Sequence, residues 1–195
     1  MSHEKASPKG WYRRGVQHPP HFDGGAFPQF VTFRLQGTLP QEKLIAWRER
    51  LYNGLLSAEE FHSRIESYLD AGAGECWLRD ERVASVVQES LQFFDNVRYI
   101  IHGWVVMPNH VHLLFTPMSG HSLAKIVGAW KSYSAKQANA VLGRSGAFWQ
   151  DDYFDRYIRD LDHFEATLWY IAHNPVAAGL CGSSECWQFS HAGAH

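Results

Sequence analysis

Two histidines one residue apart, His110 and His112, are the side chains whose types and spacing first suggest chemistry. They open an apolar run, His110-Val111-His112-Leu113-Leu114-Phe115, directly after the turn signal Pro108-Asn109. In a strand, residues two apart share a face, so His110, His112 and Leu114 point one way and Val111, Leu113 and Phe115 the other. The second set can bury against helices. The first lays two imidazoles side by side, which is how two ligands of one divalent metal are presented. An isolated His-x-His is a weak signal, and two half-buried core histidines would read the same.

A second pair lies further along. Tyr170 and Asn174 are four residues apart, so on a helix they share a face with Cβ atoms about 5–6 Å apart. A helix docked beside the open sheet face would bring a phenol and an amide oxygen to the imidazoles. Two imidazoles with an amide or carboxylate oxygen suit Mg²⁺ or Mn²⁺ and leave positions for water and phosphate oxygens. A metal held on a phosphate would stabilise developing charge while the tyrosine attacks. A phenol with its pKa near 10 needs alignment and charge neutralisation for that role. On residue chemistry alone Tyr170 reads as a core residue, Tyr133, Tyr153 and Tyr157 compete as nucleophiles, and His163 and His173 compete as ligands.

The elements that must position these groups follow from periodicity and punctuation. A strand is expected at 30–35, then helices at 40–55 and 57–68, the second opened by the capping-box pair Ser57 and Glu60. Glycines at 72 and 74 break it, and a third helix is expected at 79–94. Strands at 97–107 and 110–116 flank the Pro-Asn turn, and Ser122 caps a long helix to 142. Residues 148–159 read as an extended segment or edge strand, and a last helix at 162–173 stops at Asn174-Pro175. This order predicts an α+β fold. Its ferredoxin-like β-α-β-β-α-β core has one antiparallel sheet with helices packed on one face, plus extra helices after strand one. The chain divides into an irregular N-terminal arm (1–28), the main domain (29–180, with an acidic helical insertion at 58–94) and a C-terminal tail (181–195).

Composition narrows the class. The 195 residues, 45% hydrophobic and 14% aromatic, suffice for one domain with a substantial core. No apolar run is long enough to span a bilayer, and the polar N-terminus lacks a signal-peptide core, so a cytoplasmic location without membrane contact is expected. Three cysteines (Cys76, Cys181 and Cys186) without C-x-x-C spacing argue for a reduced chain with no cysteine zinc site. The net charge of −2 does not announce a nucleic-acid partner. Residues 58–92, however, concentrate eight acids (Glu59, Glu60, Glu66, Asp70, Glu75, Asp80, Glu81 and Glu89) against three arginines. The remainder is mildly basic, and local patches rather than the sum decide phosphate binding. The acidic block cannot itself be a DNA surface.

Met107-Pro108-Asn109-His110-Val111-His112-Leu113-Leu114 resembles the HUH motif of the single-tyrosine transposases. The wider sequence is similar to their REP-associated tyrosine transposase branch. Four further stretches agree in order: Phe30 to Leu35, Trp130 to Ala135, Phe148 to Arg159, and Tyr170 to Leu180. The resemblance covers roughly residues 11–191 and implies a metal-dependent single-strand DNA endonuclease and strand transferase acting on palindromic hairpins. It maps the metal ligands to His110 and His112 and the nucleophile to Tyr170, which would form a 5′-phosphotyrosine link and release a 3′-hydroxyl. By position one turn after the tyrosine, it maps a third ligand to Asn174. The implied cofactor is Mg²⁺ or Mn²⁺, the implied partner is single-stranded or hairpin DNA, and the protein would be a monomer or homodimer. Arg13, Arg14, Arg34, Lys131, Arg156 and Arg159 are candidate phosphate contacts. Trp149 and Tyr153 are candidate base-stacking rings, although a core role suits Trp149 as well. The alternatives are a domesticated hairpin-binding protein with little or no cleavage, and a metal-dependent hydrolase of small phosphoesters that dispenses with the tyrosine.

Overall fold

The computed structural model describes residues 10–12, 21–23 and 25–192. In chain order the elements are β1 (Gly10–Tyr12), β2 (His21–Asp23), β3 (Gln29–Arg34), α1 (Gln41–Tyr52), α2 (Ala58–Asp70), α3 (Glu81–Gln92), β4 (Tyr99–Val106), β5 (His110–Pro117), α4 (Leu123–Val141), β6 (Phe154–Tyr157), α5 (Leu161–Ala177) and β7 (Ser190–Ala192). β1 and β2 form a small antiparallel pair within the segment expected to be irregular. The other five strands make one antiparallel sheet in the order β6-β3-β5-β4-β7. The α+β architecture expected from the sequence is present, with α1 and α2 inserted after β3. The histidine-bearing strand β5 lies in the middle of the sheet.

Alternation along the strands builds two separate cores. Val31, Phe33, Trp104, Val106, Val111, Leu113 and Phe115 point to one face, where α3 and α4 cover them with Val83, Val87, Leu91, Ile126, Val127 and Trp130. Phe30, Val105, Met107 and Leu114 point the other way, and α5 covers them with Leu168 and Ile171. β5 is therefore buried on both faces, and the face that carries the histidines is roofed by α5. A bulge at His102 shifts the β4–β5 register between Ile101 and Gly103. At Gly103 an added Cβ would lie 2.7 Å from Leu168 Cδ2, so the missing side chain is what lets α5 settle onto the sheet.

Local signals explain most boundaries. Ser57 and Glu60 form a complete capping box at the start of α2. Ser122 caps α4 and Asp160 caps α5 through their side chains. Several ends shift by two or three residues, α1 stopping at Tyr52 and not at 55. The helix end furthest from expectation is that of α5, which does not stop at Asn174-Pro175 but runs through Pro175 to Ala177. Proline removes only its own N–H bond, and the ladder resumes at once with Ala178 N–H donating to the Asn174 carbonyl. Burial of Ile171, Asn174 and Pro175 holds that last turn in place. The tail also joins the sheet, because β7 pairs with β4 and Trp187 Nε1 donates to the Val106 carbonyl at 3.1 Å.

Candidate metal and tyrosine site

The β3–β5 register sets the first part of the site: Thr32 lies opposite His112 and Arg34 opposite His110. Asn109, fully buried in the turn before β5, donates from Nδ2 to the carbonyls of Leu69 (3.1 Å) and Ala73 (3.0 Å) at the end of α2. Its Oδ1 is left as the acceptor for His110 Nδ1 at 2.6 Å. An amide oxygen cannot donate, so the network assigns the His110 proton to Nδ1 and leaves Nε2 as a bare lone pair. Thr32 Oγ1 lies 2.8 Å from His112 Nδ1, and its hydroxyl can accept from an Nδ1–H there, the tautomer that would leave His112 Nε2 facing His110 as a lone pair. The two Nε2 atoms end up 2.9 Å apart. Two lone pairs at that distance repel unless a proton or a cation lies between them.

Both rings are completely buried. Burial holds His110 down to about 3, and holds His112 well below the ordinary histidine range with help from the neighbouring His110 and His62. Neutral imidazoles with inward lone pairs are the state that binds a metal.

α5 supplies the second part. Tyr170 Oη donates to His112 Nε2 at 3.3 Å, and Asn174 Nδ2 lies 3.5 Å from the same nitrogen. Phe30 stacks on the His112 ring, with centroids 5.5 Å apart, and meets Tyr170 edge-on. The Tyr170 phenol is pushed well above its ordinary range, first by burial and then by the charges of Glu66 and Asp70. Asn174 and Arg156 oppose that rise. Asn174 Oδ1 is buried without a partner among the described residues. Exchanging the amide's oxygen and nitrogen would turn that oxygen toward the imidazoles, so the residues present fit a cation.

A third part was missed at the level of sequence. Asp70, the last residue of α2, places Oδ1 3.4 Å from His110 Nε2 and 3.5 Å from Asn174 Nδ2. Ligand atoms of Asp70, His110 and His112 all lie within 4.8 Å of one another. Burial and the nearby Glu66 raise the Asp70 carboxyl to about 6, with the Asn174 hydrogen bond opposing them. The only signal in the sequence was its place just before the glycines that end α2. Nothing in the spacing ties residue 70 to residue 110. Two imidazoles, a carboxylate and an amide oxygen form a donor set suited to Mg²⁺ or Mn²⁺.

The remaining candidates are scattered. Arg156 is exposed on edge strand β6 opposite Phe30, so it shares the face of the histidines. Arg159 is exposed between β6 and α5. Arg34 is only 8% exposed and donates to Thr38 Oγ1 at 3.1 Å; burial and the neighbouring Arg48 lower it to about 10. Lys131 sits on α4, in the layer across the sheet, with Nζ donating to the Asp151 carbonyl at 2.6 Å. The stacking expectation for Trp149 and Tyr153 is corrected, because neither ring is offered to a base. Trp149 is buried against Phe33 and donates to Ser134 Oγ, and Tyr153 is buried beside His21. Arg13 and Arg14 lie outside the described residues. Of the competing groups, Tyr133 is exposed on α4 and Tyr157 packs on Phe22. His163 meets the Arg159 backbone and His173 folds back on Trp169. None of these four reaches the imidazole pair.

The family described as Transposase IS200 like matches residues 77–174, a span that holds His110, His112, Tyr170 and Asn174 but not Asp70. Over 90 residues, 46% of this chain, the sequence is 29% identical to the REP-associated tyrosine transposase of Escherichia coli (strain K12). The chain spans about half the length of that curated relative, 52%. Among solved structures, a REP-associated tyrosine transposase bound to a REP hairpin shares the fold, with a TM-score of 0.55 and 19% identity. That likeness covers 92% of this chain and 80% of the other. Among the described residues no helix is long and apolar enough to cross a membrane.

Proposed function

The chain belongs to the family of IS200-like transposases, and from that premise we propose that it is a metal-dependent single-strand DNA endonuclease and strand transferase. Its substrate in this reading is a palindromic DNA hairpin of REP type, and its intermediate a 5′-phosphotyrosine. The observation that carries the reading is the convergence on one point of a phenol and two inward-facing imidazole nitrogens, Tyr170 Oη at 3.3 Å from His112 Nε2 and His112 Nε2 at 2.9 Å from His110 Nε2.

His110, His112 and Asn174 are the proposed ligands, and a bound Mg²⁺ or Mn²⁺ would neutralise charge on the scissile phosphate. The chain's own groups do the rest. Asn109 and Thr32 hold the imidazole tautomers. Phe30 and the α5 roof keep the phenol in place. Tyr170 Oη attacks phosphorus, the bond from phosphorus to the 3′ oxygen breaks, and the phenol's proton ends on that departing oxygen. Attack by a 3′-hydroxyl on the phosphotyrosine reverses the exchange, so one ester replaces another and no external energy source is needed. Arg156, exposed on the same face, is the best-placed described cation for a neighbouring phosphate.

The test is a denaturing gel with labelled single-stranded REP-type hairpin, with Mn²⁺ or with EDTA. A metal-dependent band that survives SDS and disappears with protease supports the reading. Native binding with no adduct, at any metal concentration, would replace it with a hairpin-binding protein.

A further inference from the structure

α2 ends on an acid, the sign that a helix C-terminus disfavours. Asp70 is half-buried, and Glu66 stands one turn before it on the same helix face. Among the described residues no lysine or arginine pairs with Asp70; what faces it is His110 Nε2 at 3.4 Å and Asn174 Nδ2 at 3.5 Å. A half-buried carboxylate against neutral imidazoles, with a second acid one turn away, is costly unless a cation joins the group.

The placement is built and not incidental. Asn109 grips the Leu69 and Ala73 carbonyls on either side of Asp70. Leu69 is fully buried. Gly74, at φ +77, lies so close to β3's exit that an added Cβ would sit 2.6 Å from Thr38 Cα. The same asparagine thus orients His110 and anchors the end of α2, coupling the acid to the imidazole.

We infer that Asp70 is a carboxylate ligand of the metal, so that the α1–α2 hairpin completes the metal site of this chain. The inference rests on the metal-dependent reading above and deepens it. Asp70 lies outside residues 77–174, so the shared family segment does not contain this ligand. With His110, His112 and Asn174 it makes four protein donors and leaves a six-coordinate ion room for phosphate oxygen and water. It also assigns a role at the ion to one acid of the insertion, Asp70.

The experiment is direct titration of the full chain with Mn²⁺, read by loss of the free-ion EPR signal and by calorimetry. Asp70→Asn should weaken Mn²⁺ binding roughly 10–100-fold, and Glu66→Gln, which removes a nearby charge but no ligand, roughly threefold or less. Without metal, Asp70→Asn should melt higher than wild type, because an uncompensated buried charge is gone; with Mn²⁺ its melting temperature should rise less than the wild type's. Asp70→Cys should bind Cd²⁺ with an ultraviolet thiolate band that His110→Ala weakens. Wild-type Mn²⁺ affinity in Asp70→Asn, or a Cys variant with no Cd–thiolate band, overturns the assignment. Wild-type affinity in a His110→Ala, His112→Ala double variant would instead overturn the metal site as a whole.

Discussion

The hydroxyl of Tyr170 and Nε2 of His112 stand 3.3 Å apart although 58 residues separate them in the chain. One comes from the roof helix α5 and the other from the central strand β5, and the register of each is fixed by its own core. The contact sets the phenol beside the two nitrogens that would hold a metal. Because Tyr170 is surrounded by burial and acids that raise its pKa, it cannot ionise in the resting protein near neutral pH. In the proposed reaction, its nucleophilic strength would arrive with the cation and the phosphate.

Tyr170→Phe is therefore expected to abolish the covalent DNA adduct, a loss of at least about 10³-fold, while hairpin affinity changes little. The hydroxyl gives up only its contacts with His112 and the Asn174 amide, so stability should change by only about 1 kcal/mol. Denaturing and native gels run on the same samples would check both. A full yield of adduct from the phenylalanine variant would move the nucleophile elsewhere.

Asn109→Ala should damage the metal site without removing a ligand. It takes one donor from the Leu69 carbonyl, which keeps the Gly72 N–H, and leaves the part-buried Ala73 carbonyl and the buried His110 Nδ1 without their Asn109 partner. A buried orphan such as that Nδ1 costs about 1–3 kcal/mol. Mn²⁺ affinity should fall roughly 10–100-fold as the tautomer and the end of α2 are freed. Nitrogen NMR of the His110 ring reads the tautomer directly. A ring still protonated on Nδ1, with wild-type Mn²⁺ affinity, would show that Asn109 does not orient it.

The N-terminal pair β1–β2 is tied to β6 by a titrating group. His21 binds Asp155 through Nδ1 and Asp152 through Nε2, the latter at 3.2 Å, and the Phe22 N–H donates to Asp155 at 2.9 Å. Burial opposes the ring's charge, but the two carboxylates outweigh it and raise His21 from 6.5 to about 9. A folded pKa above the unfolded one means the stabilisation is complete below about pH 6.5 and is lost as pH rises through about 9. Thermal melts across that range should show wild type losing stability toward alkaline pH. His21→Gln should start lower and decline less. Parallel curves for the two proteins would exclude His21 as the alkaline switch.

Arg156 and Trp149, both drawn from one aromatic and charged stretch, should behave oppositely. Arg156→Ala is expected to weaken hairpin binding across sequences, reduce the salt slope by about one and leave the melting temperature unchanged. Trp149→Ala should cost about 3–5 kcal/mol of stability by emptying a core position, with hairpin affinity per folded molecule intact. Salt-dependent binding isotherms and melts separate the two. An unaltered salt slope for Arg156→Ala would remove it from the phosphate path.

Much of this protein is legible in its local chemistry. Alternation in 110–115 placed the two histidines on one strand face, because strand geometry depends on parity alone. Ser57, Glu60 and Ser122 marked helix starts through caps that involve only neighbouring residues. The four-residue spacing of Tyr170 and Asn174 placed them on one side of α5 whatever that helix packs against. Tertiary structure decided what spacing has no access to. Pro175 stays inside α5 because packing outweighs its lost hydrogen bond. Trp149 faces Phe33 because edge pairing between Leu35 and Trp149 turns it inward. Asp70 reaches His110 because Asn109, forty residues on from Leu69, grips the end of α2. In the sequence Asp70 is one acid among eight; only the fold distinguishes it, since a contact between distant residues depends on how the elements dock and leaves no local periodicity to read.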